Sequence, residues 1–219
     1  MSDNLVYVGD GAFDSCDSLP LTKYDNALYL GDKDAPYTIL IQAVDTDIES
    51  CIVHEDTKII YDYAFLECTE VDEIIIPSGI QYVGSYVFEE CYDLFPTDSD
   101  YENAYYLGNA ENPYLVLVET KGKRELASVN IHENTEIIAP GAFAGCEALT
   151  SITLPENIRV IGQYAFEGCS KLESVSLPSS EWRVINGESV SVLLFISTDE
   201  GNITERLSEV YYYCTWRRK

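Results

Sequence analysis

Positive charge is what this sequence has least of: 13 Lys and Arg stand against 38 Asp and Glu, a formal net charge of -25. Binding to nucleic acid or to anionic lipid depends on clustered Lys and Arg, and the only such cluster is the Arg217-Arg218-Lys219 ending. Neither partner is expected. Long apolar runs are also missing, since none reaches the roughly 18 residues that a bilayer span requires, and no membrane insertion is expected. Met1-Ser2-Asp3-Asn4 has no basic-then-apolar profile of a secretory signal. Catalytic and metal motifs are absent in turn: there is no H-E-x-x-H, no C-x-x-C, no G-x-S-x-G and no P-loop. No catalytic residue, metal site or cofactor follows from the residues.

The chain does hold the material of a core. Hydrophobic residues make up 46 % and aromatics 12 % of its 219 residues, with 17 Tyr against a single Met. That excludes an acidic disordered chain, which lacks aromatic and β-branched residues, and it favours strands.

An internal repeat organises these residues. Gly11-Ala-Phe-Asp-Ser-Cys16, Tyr63-Ala-Phe-Leu-Glu-Cys68, Tyr86-Val-Phe-Glu-Glu-Cys91, Gly141-Ala-Phe-Ala-Gly-Cys146 and Tyr164-Ala-Phe-Glu-Gly-Cys169 all place Cys three residues after Phe. Five residues before each Phe stands Val8, Ile60, Val83, Ile138 or Ile161, and six after it Leu19, Val71, Leu94, Leu149 or Leu172. Period-2 strands follow at Ile74/Ile76, Ile152/Leu154 and Val175/Leu177, closed by Pro77, Pro155 and Pro178. Proline cannot donate to a ladder and ends each strand. Ala-Phe-x-x-Cys reads as a short helical turn with Phe and Cys on one inward side, and Gly9, Gly84 and Gly162 suit a tight bend. One such unit cannot bury its own apolar face; stacked units can, which predicts a mainly β solenoid with a parallel sheet along one side.

A longer element is duplicated as well. Tyr24-Asp-Asn-Ala-Leu-Tyr-Leu-Gly31 with Pro36–Ile41 matches Tyr101-Glu-Asn-Ala-Tyr-Tyr-Leu-Gly108 with Pro113–Val118. Each reads as a β-hairpin insert, at about 24–43 and 101–119, leading into a degenerate repeat strand at Ile48–His54 or Leu126–His132. The period breaks after Pro178. Ser189–Ile196 and Val210–Cys214 read as strands, so the expected organisation is a solenoid over 1–178 and a β cap over 179–219.

The residues that draw attention as sites have a structural reading. His54 and His132 stand where Pro77, Pro155 and Pro178 close the other strands, so both read as strand-end residues, and proline should be tolerated at His132. Cys16, Cys68, Cys91, Cys146 and Cys169 share the inward position and Cys51 a core strand position, as buried thiols acting as small hydrophobes. Cys214 lies outside the repeats and is the most reactive by position. Asp45–Glu49 and Asp98–Asp100 lack EF-hand spacing and read as solvated surface.

The unit I-G-x-x-A-F-x-x-C-x-x-L-x-x-I-x-I-P resembles the BspA-like leucine-rich repeat, and the Y-x-N-A-x-Y-L-G insert is similar to the variant of clostridial surface proteins. The resemblance covers roughly residues 5–178. It implies a right-handed coil, a non-enzymatic role in adhesion, a protein or glycoconjugate ligand, and a cell-surface or secreted location. Val8-Gly9 already sits inside a repeat with no cap before it, so a fragment of a longer export-competent protein, or else a cytoplasmic chain, is the expectation. A monomer is expected. Within that architecture the candidate contact surface is the outward face of the sheet, at Ile52, Ile75, Asn130, Thr153 and Ser176, with hairpin tyrosines Tyr29, Tyr37, Tyr105, Tyr106 and Tyr114. Tyrosine gives large contact area at low entropic cost. The other class of reading is a structural spacer in a larger surface protein, with no ligand site of its own.

Overall fold

The computed structural model describes residues 5, 7–9, 11–13, 15–16, 18–95, 101, 103–178, 182–184 and 216–218, the last two stretches as backbone. The expected strands Ser189–Ile196 and Val210–Cys214, with Cys214 and Asp98–Asp100, lie outside the described residues. The chain divides into two compact units, Met1–Asp98 with Gly108–Glu111 and Ser99–Leu107 with Asn112–Lys219.

The first unit contains β1 (Thr22–Tyr24), β2 (Ala27–Leu30), β3 (Ile39–Ala43), β4 (Ser50–Ile52), β5 (Ile59–Ile60), β6 (Glu73–Ile75) and β7 (Tyr82–Val83). The second contains β8 (Ala104–Leu107), β9 (Val116–Thr120), β10 (Ile137–Ile138), β11 (Ser151–Thr153), β12 (Val160–Ile161), β13 (Ser174–Ser176), β14 (Trp182–Val184) and β15 (Trp216–Arg218). Helix is confined, among the described residues, to one-turn 3-10 segments at Tyr92–Leu94 and Lys123–Glu125. Both units are β-solenoid.

Two sheets line each unit where one was expected. The period-2 strands pair in parallel, β4 with β6 and β11 with β13, and the two-residue strands before the Ala-Phe or Val-Phe turns form a second parallel stack. In that stack Leu40, Ile60 and Val83 lie side by side across β3, β5 and β7, and Leu117, Ile138 and Ile161 across β9, β10 and β12. The second strand of each hairpin is therefore itself a rung, and among the described residues each stack has three. The first strands, β2 and β8, run antiparallel against that rung and carry the same register shift, at Leu28/Tyr29 and Tyr105/Tyr106. β1 extends the first sheet beyond β2.

This arrangement deals with an exposed sheet edge, which would otherwise recruit foreign strands. In the first unit the hairpin also shields β4: Asp25 Oδ2 accepts from the Ile52 N–H at 2.7 Å, and Asn26 Nδ2 donates to the Ser50 carbonyl at 2.8 Å. In the second unit β15 and β14 add antiparallel strands beyond β12, with Ile161 opposite Trp216.

The Ala-Phe-x-x-Cys segment is a pair of i→i+3 turns, tighter than an α-helical turn. The Leu66 N–H donates to Tyr63 O and the Cys68 N–H to Phe65 O, while the N–H groups of Tyr63, Phe65 and Glu67 reach the next rung at Ser85, Val87 and Glu89. Gly141, Phe143 and Gly145 repeat the pattern against Gln163, Ala165 and Glu167. A helical turn would consume those N–H groups internally; placing left-handed residues two before and two after the Phe frees them to stitch the rungs. Phe65 stacks on Phe88 at 6.0 Å and Phe143 on Phe166 at 5.2 Å, both nearly parallel.

Gly84 and Gly162 serve close approach and not a left-handed bend. A Cβ at Gly84 would lie 2.4 Å from Asp62 Oδ1 and 2.6 Å from Asp62 N, and one at Gly162 would lie 2.4 Å from Pro140 N.

The first repeat departs from the pattern. Its turn forms as elsewhere, with Gly11 and Ser15 left-handed and the Cys16 N–H donating to Phe13 O. Yet Cys16 is exposed and Phe13 half-buried, whereas Cys68, Cys91 and Cys146 are buried and Cys169 half-buried. Local sequence suffices for the turn but not for its burial. The degenerate strand expected at Leu126–His132 does not form either. Ala127, Ser128 and Asn130 are poor strand residues, and only Leu126 is buried there.

Candidate binding surfaces

The I-x-I alternation produces two unlike faces. Cys51 and Val53, Ile74 and Ile76, Ile152 and Leu154, and Val175 and Leu177 point into the core. Outward stand Ile52, 49 % exposed, beside half-buried Ile75 on β4–β6, and exposed Thr153 beside exposed Ser176 on β11–β13. The parallel register brings Ile52 and Ile75 together, and Thr153 and Ser176 together. Asn130 is exposed but belongs to no strand, so the structure does not join it to a sheet face.

The hairpin tyrosines form two copies of one aromatic cluster. In the first, Tyr37 stacks on His54 at 3.9 Å, and Tyr24 meets the His54 ring edge-on at 4.6 Å. Tyr29 packs edge-on to Tyr37, and its hydroxyl accepts the His54 backbone N–H at 3.3 Å. In the second, Tyr114 stacks on His132 at 3.7 Å, Tyr101 packs beside it at 4.9 Å, and the Tyr106 hydroxyl accepts the His132 N–H at 3.3 Å. His54 Nδ1 accepts from the Asp56 N–H and His132 Nδ1 from the Asn134 N–H, both at 3.1 Å. Each histidine thus clamps a hairpin to the adjoining rung, which explains why histidine replaces proline only beside a hairpin. Proline there would delete both the stacked ring and the donated N–H, so the expectation that it is tolerated does not survive the geometry.

Tyr29 does not qualify as a contact residue: its side chain is 0 % exposed, and burial raises its hydroxyl pKa well above the usual tyrosine value. Tyr37, Tyr106 and Tyr114 are half-buried in their clusters. Tyr105 is half-buried opposite Glu119, with Lys121 Nζ 4.7 Å from its ring centre; burial and then the Glu119 charge raise its pKa. Among the described residues the exposed large aromatics are others: Tyr24, Tyr63, Tyr86 and Tyr92. Tyr63 and Tyr86 stack at 5.4 Å, 52 % and 54 % exposed. The alignment of the repeat carries their signal, since they occupy the slot that holds Gly11 and Gly141.

Cys51, Cys68, Cys91 and Cys146 are core thiols, whereas Cys16 is exposed. Burial pushes Cys51 up to about 12, with Asp25 adding to it, Cys91 up to about 12 and Cys68 up to about 11. Cys146 and Cys169 lie on successive rungs, where the Cys169 thiol donates to the Phe143 carbonyl at 3.1 Å and Thr120 Oγ1 lies 3.2 Å from Cys146 Sγ. The neighbouring Cys169 thiol eases ionisation of Cys146, while Cys146 and burial raise Cys169. Among the described residues no group of three His, Cys, Asp or Glu side chains converges as a metal site, and no helix is long and apolar enough to cross a membrane.

Parallel stacked rungs, stacked phenylalanines at a fixed slot and outward side chains in register define a repeat solenoid of the leucine-rich kind. The BspA type leucine rich repeat region matches the chain in six copies, over residues 1–95 and 121–215, and the chain belongs to that family. Solved structures similar to it include a leucine-rich repeat protein of T. pallidum, at 18 % identity over 72 % of this chain and 71 % of that one, with a TM-score of 0.40. The pneumococcal vaccine antigen PcpA matches at 18 % identity over 74 % of this chain and 32 % of that one, with a TM-score of 0.36. A leucine-rich cell surface protein of Faecalibacterium prausnitzii matches at 21 % identity over 83 % of this chain and 43 % of that one, with a TM-score of 0.39. The chain thus spans about a third of the PcpA structure's length and less than half of the third. No curated protein was found to match the chain.

Proposed function

We propose that the chain is a non-catalytic binding module of a cell-surface or secreted protein, engaging a protein or glycoconjugate ligand in adhesion. Membership of the BspA type family supports this reading. The observation that carries it is the outward row itself: each strand pair presents side chains from successive rungs in register, Ile52 beside Ile75 and Thr153 beside Ser176. Such rows form extended surfaces in solenoids. The acidic balance argues against nucleic acid and anionic membrane as partners.

Biolayer interferometry of the purified chain against extracellular matrix proteins, mucins and glycans, with and without calcium, tests this. Saturable binding lost in an unfolded Phe143→Asp control supports the module. Uniform absence of binding favours a structural spacer. One observation favours that second reading: the hairpin tyrosines are largely spent on clamping histidines and closing sheet edges.

A further inference from the structure

The turns of the first unit carry a surface that the adhesion reading does not use. Tyr63, Glu67, Tyr86 and Glu90 all have left-handed backbones, with φ of 59°, 61°, 56° and 63°. A bulky side chain rarely adopts that conformation, and glycine does so without strain. The second unit shows the unstrained solution at the same slots: Gly141 and Gly145 in one turn, Gly168 in the next, with Tyr164 the one bulky residue. The Tyr63 and Tyr86 turns of the first unit depart from glycine at both slots, whereas the first repeat keeps Gly11 at one of them.

The four side chains lie on the surface in register. Tyr63 and Tyr86 stack within 11° of parallel at 5.4 Å, each about half exposed, and Glu67 and Glu90 are exposed on the same two turns. The Glu67 N–H donates to the Glu89 carbonyl, holding the two rungs together at that point. Among the described residues no Lys or Arg forms an ion pair with Glu67, Glu89 or Glu90. The stretch 61–95 contains eight acidic residues and no Lys or Arg.

We propose that the stacked tyrosines Tyr63 and Tyr86, bordered by Glu67 and Glu90, form a docking strip for an arginine-bearing segment of a partner protein. A guanidinium is planar and weakly hydrated, stacks on tyrosine faces and binds carboxylates with two parallel hydrogen bonds. The strip offers both features on each of two successive turns. The exposed carboxylates contribute little individually, so the rings supply the preference for arginine over lysine, and the net charge of -25 steers the encounter. This proposal stands apart from the adhesion reading, since it concerns the turns and not the outward strand faces.

The test is biosensor binding of the full chain to synthetic peptides alternating Gly with Arg, Lys or Glu, and to a neutral oligosaccharide, at low and physiological ionic strength. The strip predicts saturable binding of the arginine peptide, weaker binding of the lysine peptide and none of the other two. Tyr63→Gly with Tyr86→Gly should weaken arginine-peptide binding by about tenfold or more, with a melting temperature unchanged or raised, because glycine relieves the backbone. Glu67→Gln with Glu90→Gln should weaken it and flatten its salt dependence, whereas Glu111→Gln with Glu133→Gln should change neither. The proposal is overturned by absent saturable binding, by equal loss in the Glu111/Glu133 control, by binding that ignores the tyrosine change, or by capture of the oligosaccharide instead. A lowered melting temperature in the double glycine variant overturns it too, by assigning the tyrosines to stability.

Discussion

Gly162 is held to glycine by distance: its α-carbon passes so near the rung before it that a methyl group would meet Pro140 N at 2.4 Å. Backbone cannot give way as a side-chain tip can, so Gly162→Ala is expected to cost about 1–3 kcal/mol, read as a lowered urea midpoint, although alanine is otherwise the better strand and helix residue. A midpoint unchanged from wild type would mean the rungs are less closely packed than described. His132 has an equally specific duty. His132→Pro removes the ring stacked on Tyr114 and the N–H given to the Tyr106 hydroxyl, a loss of about 1–3 kcal/mol that a thermal melt should register. The sequence showed that His54 and His132 occupy a proline slot but not why, because the reason is a tyrosine about 18 residues earlier in the chain.

At the scale of the element, the repeated turn separates what is local from what is not. Phe13 and Phe143 sit in turns of the same pattern, yet Phe143 is fully buried against Phe166 while Phe13 is half-buried beside Tyr61. Phe143→Ala is expected to cost about 3–5 kcal/mol and Phe13→Ala about 1 kcal/mol. Equal losses in equilibrium unfolding would show the first repeat to be a true rung. The I-x-I strands, their inward residues and both hairpins were legible in the spacing. The role of the hairpins was not: continuous apolar runs mark β3 and β9 as strands, but only pairing with Ile59–Ile60 and Ile137–Ile138 shows them to be rungs. For the same reason Tyr29 read as a surface tyrosine and is a core one. Tyr63 and Tyr86 were visible as a repeat position, and their exposure follows from backbone geometry that spacing does not encode.

For the molecule as a whole, the thiols make stability depend on alkaline pH. Cys51, Cys68 and Cys91 keep their protons to about 11–12 in the folded first unit because burial disfavours the thiolate, and lose them near 8.5 when unfolded. Their folded values are raised, so the stabilisation is complete below about pH 8.5 and is lost as pH climbs towards 12. The urea midpoint should therefore be level from pH 7 to 8 and fall between pH 9 and 11, less steeply in Cys51→Ala. A midpoint flat to pH 11 would place these thiols in contact with water.

The claim on which the account rests is that the hairpins are built into the stack as rungs. Residue-resolved amide hydrogen exchange addresses it directly. The Ala43 N–H donates to Ala64 O at 2.7 Å and the Thr120 N–H to Ala142 O at 3.0 Å, as the Tyr61 N–H does to Leu40 O and the Gly162 N–H to Ile138 O. Ala43 and Thr120 should exchange as slowly as Tyr61 and Gly162. Unprotected exchange at Ala43 and Thr120, with Tyr61 and Gly162 still protected, would make the hairpins appendages and contradict the account.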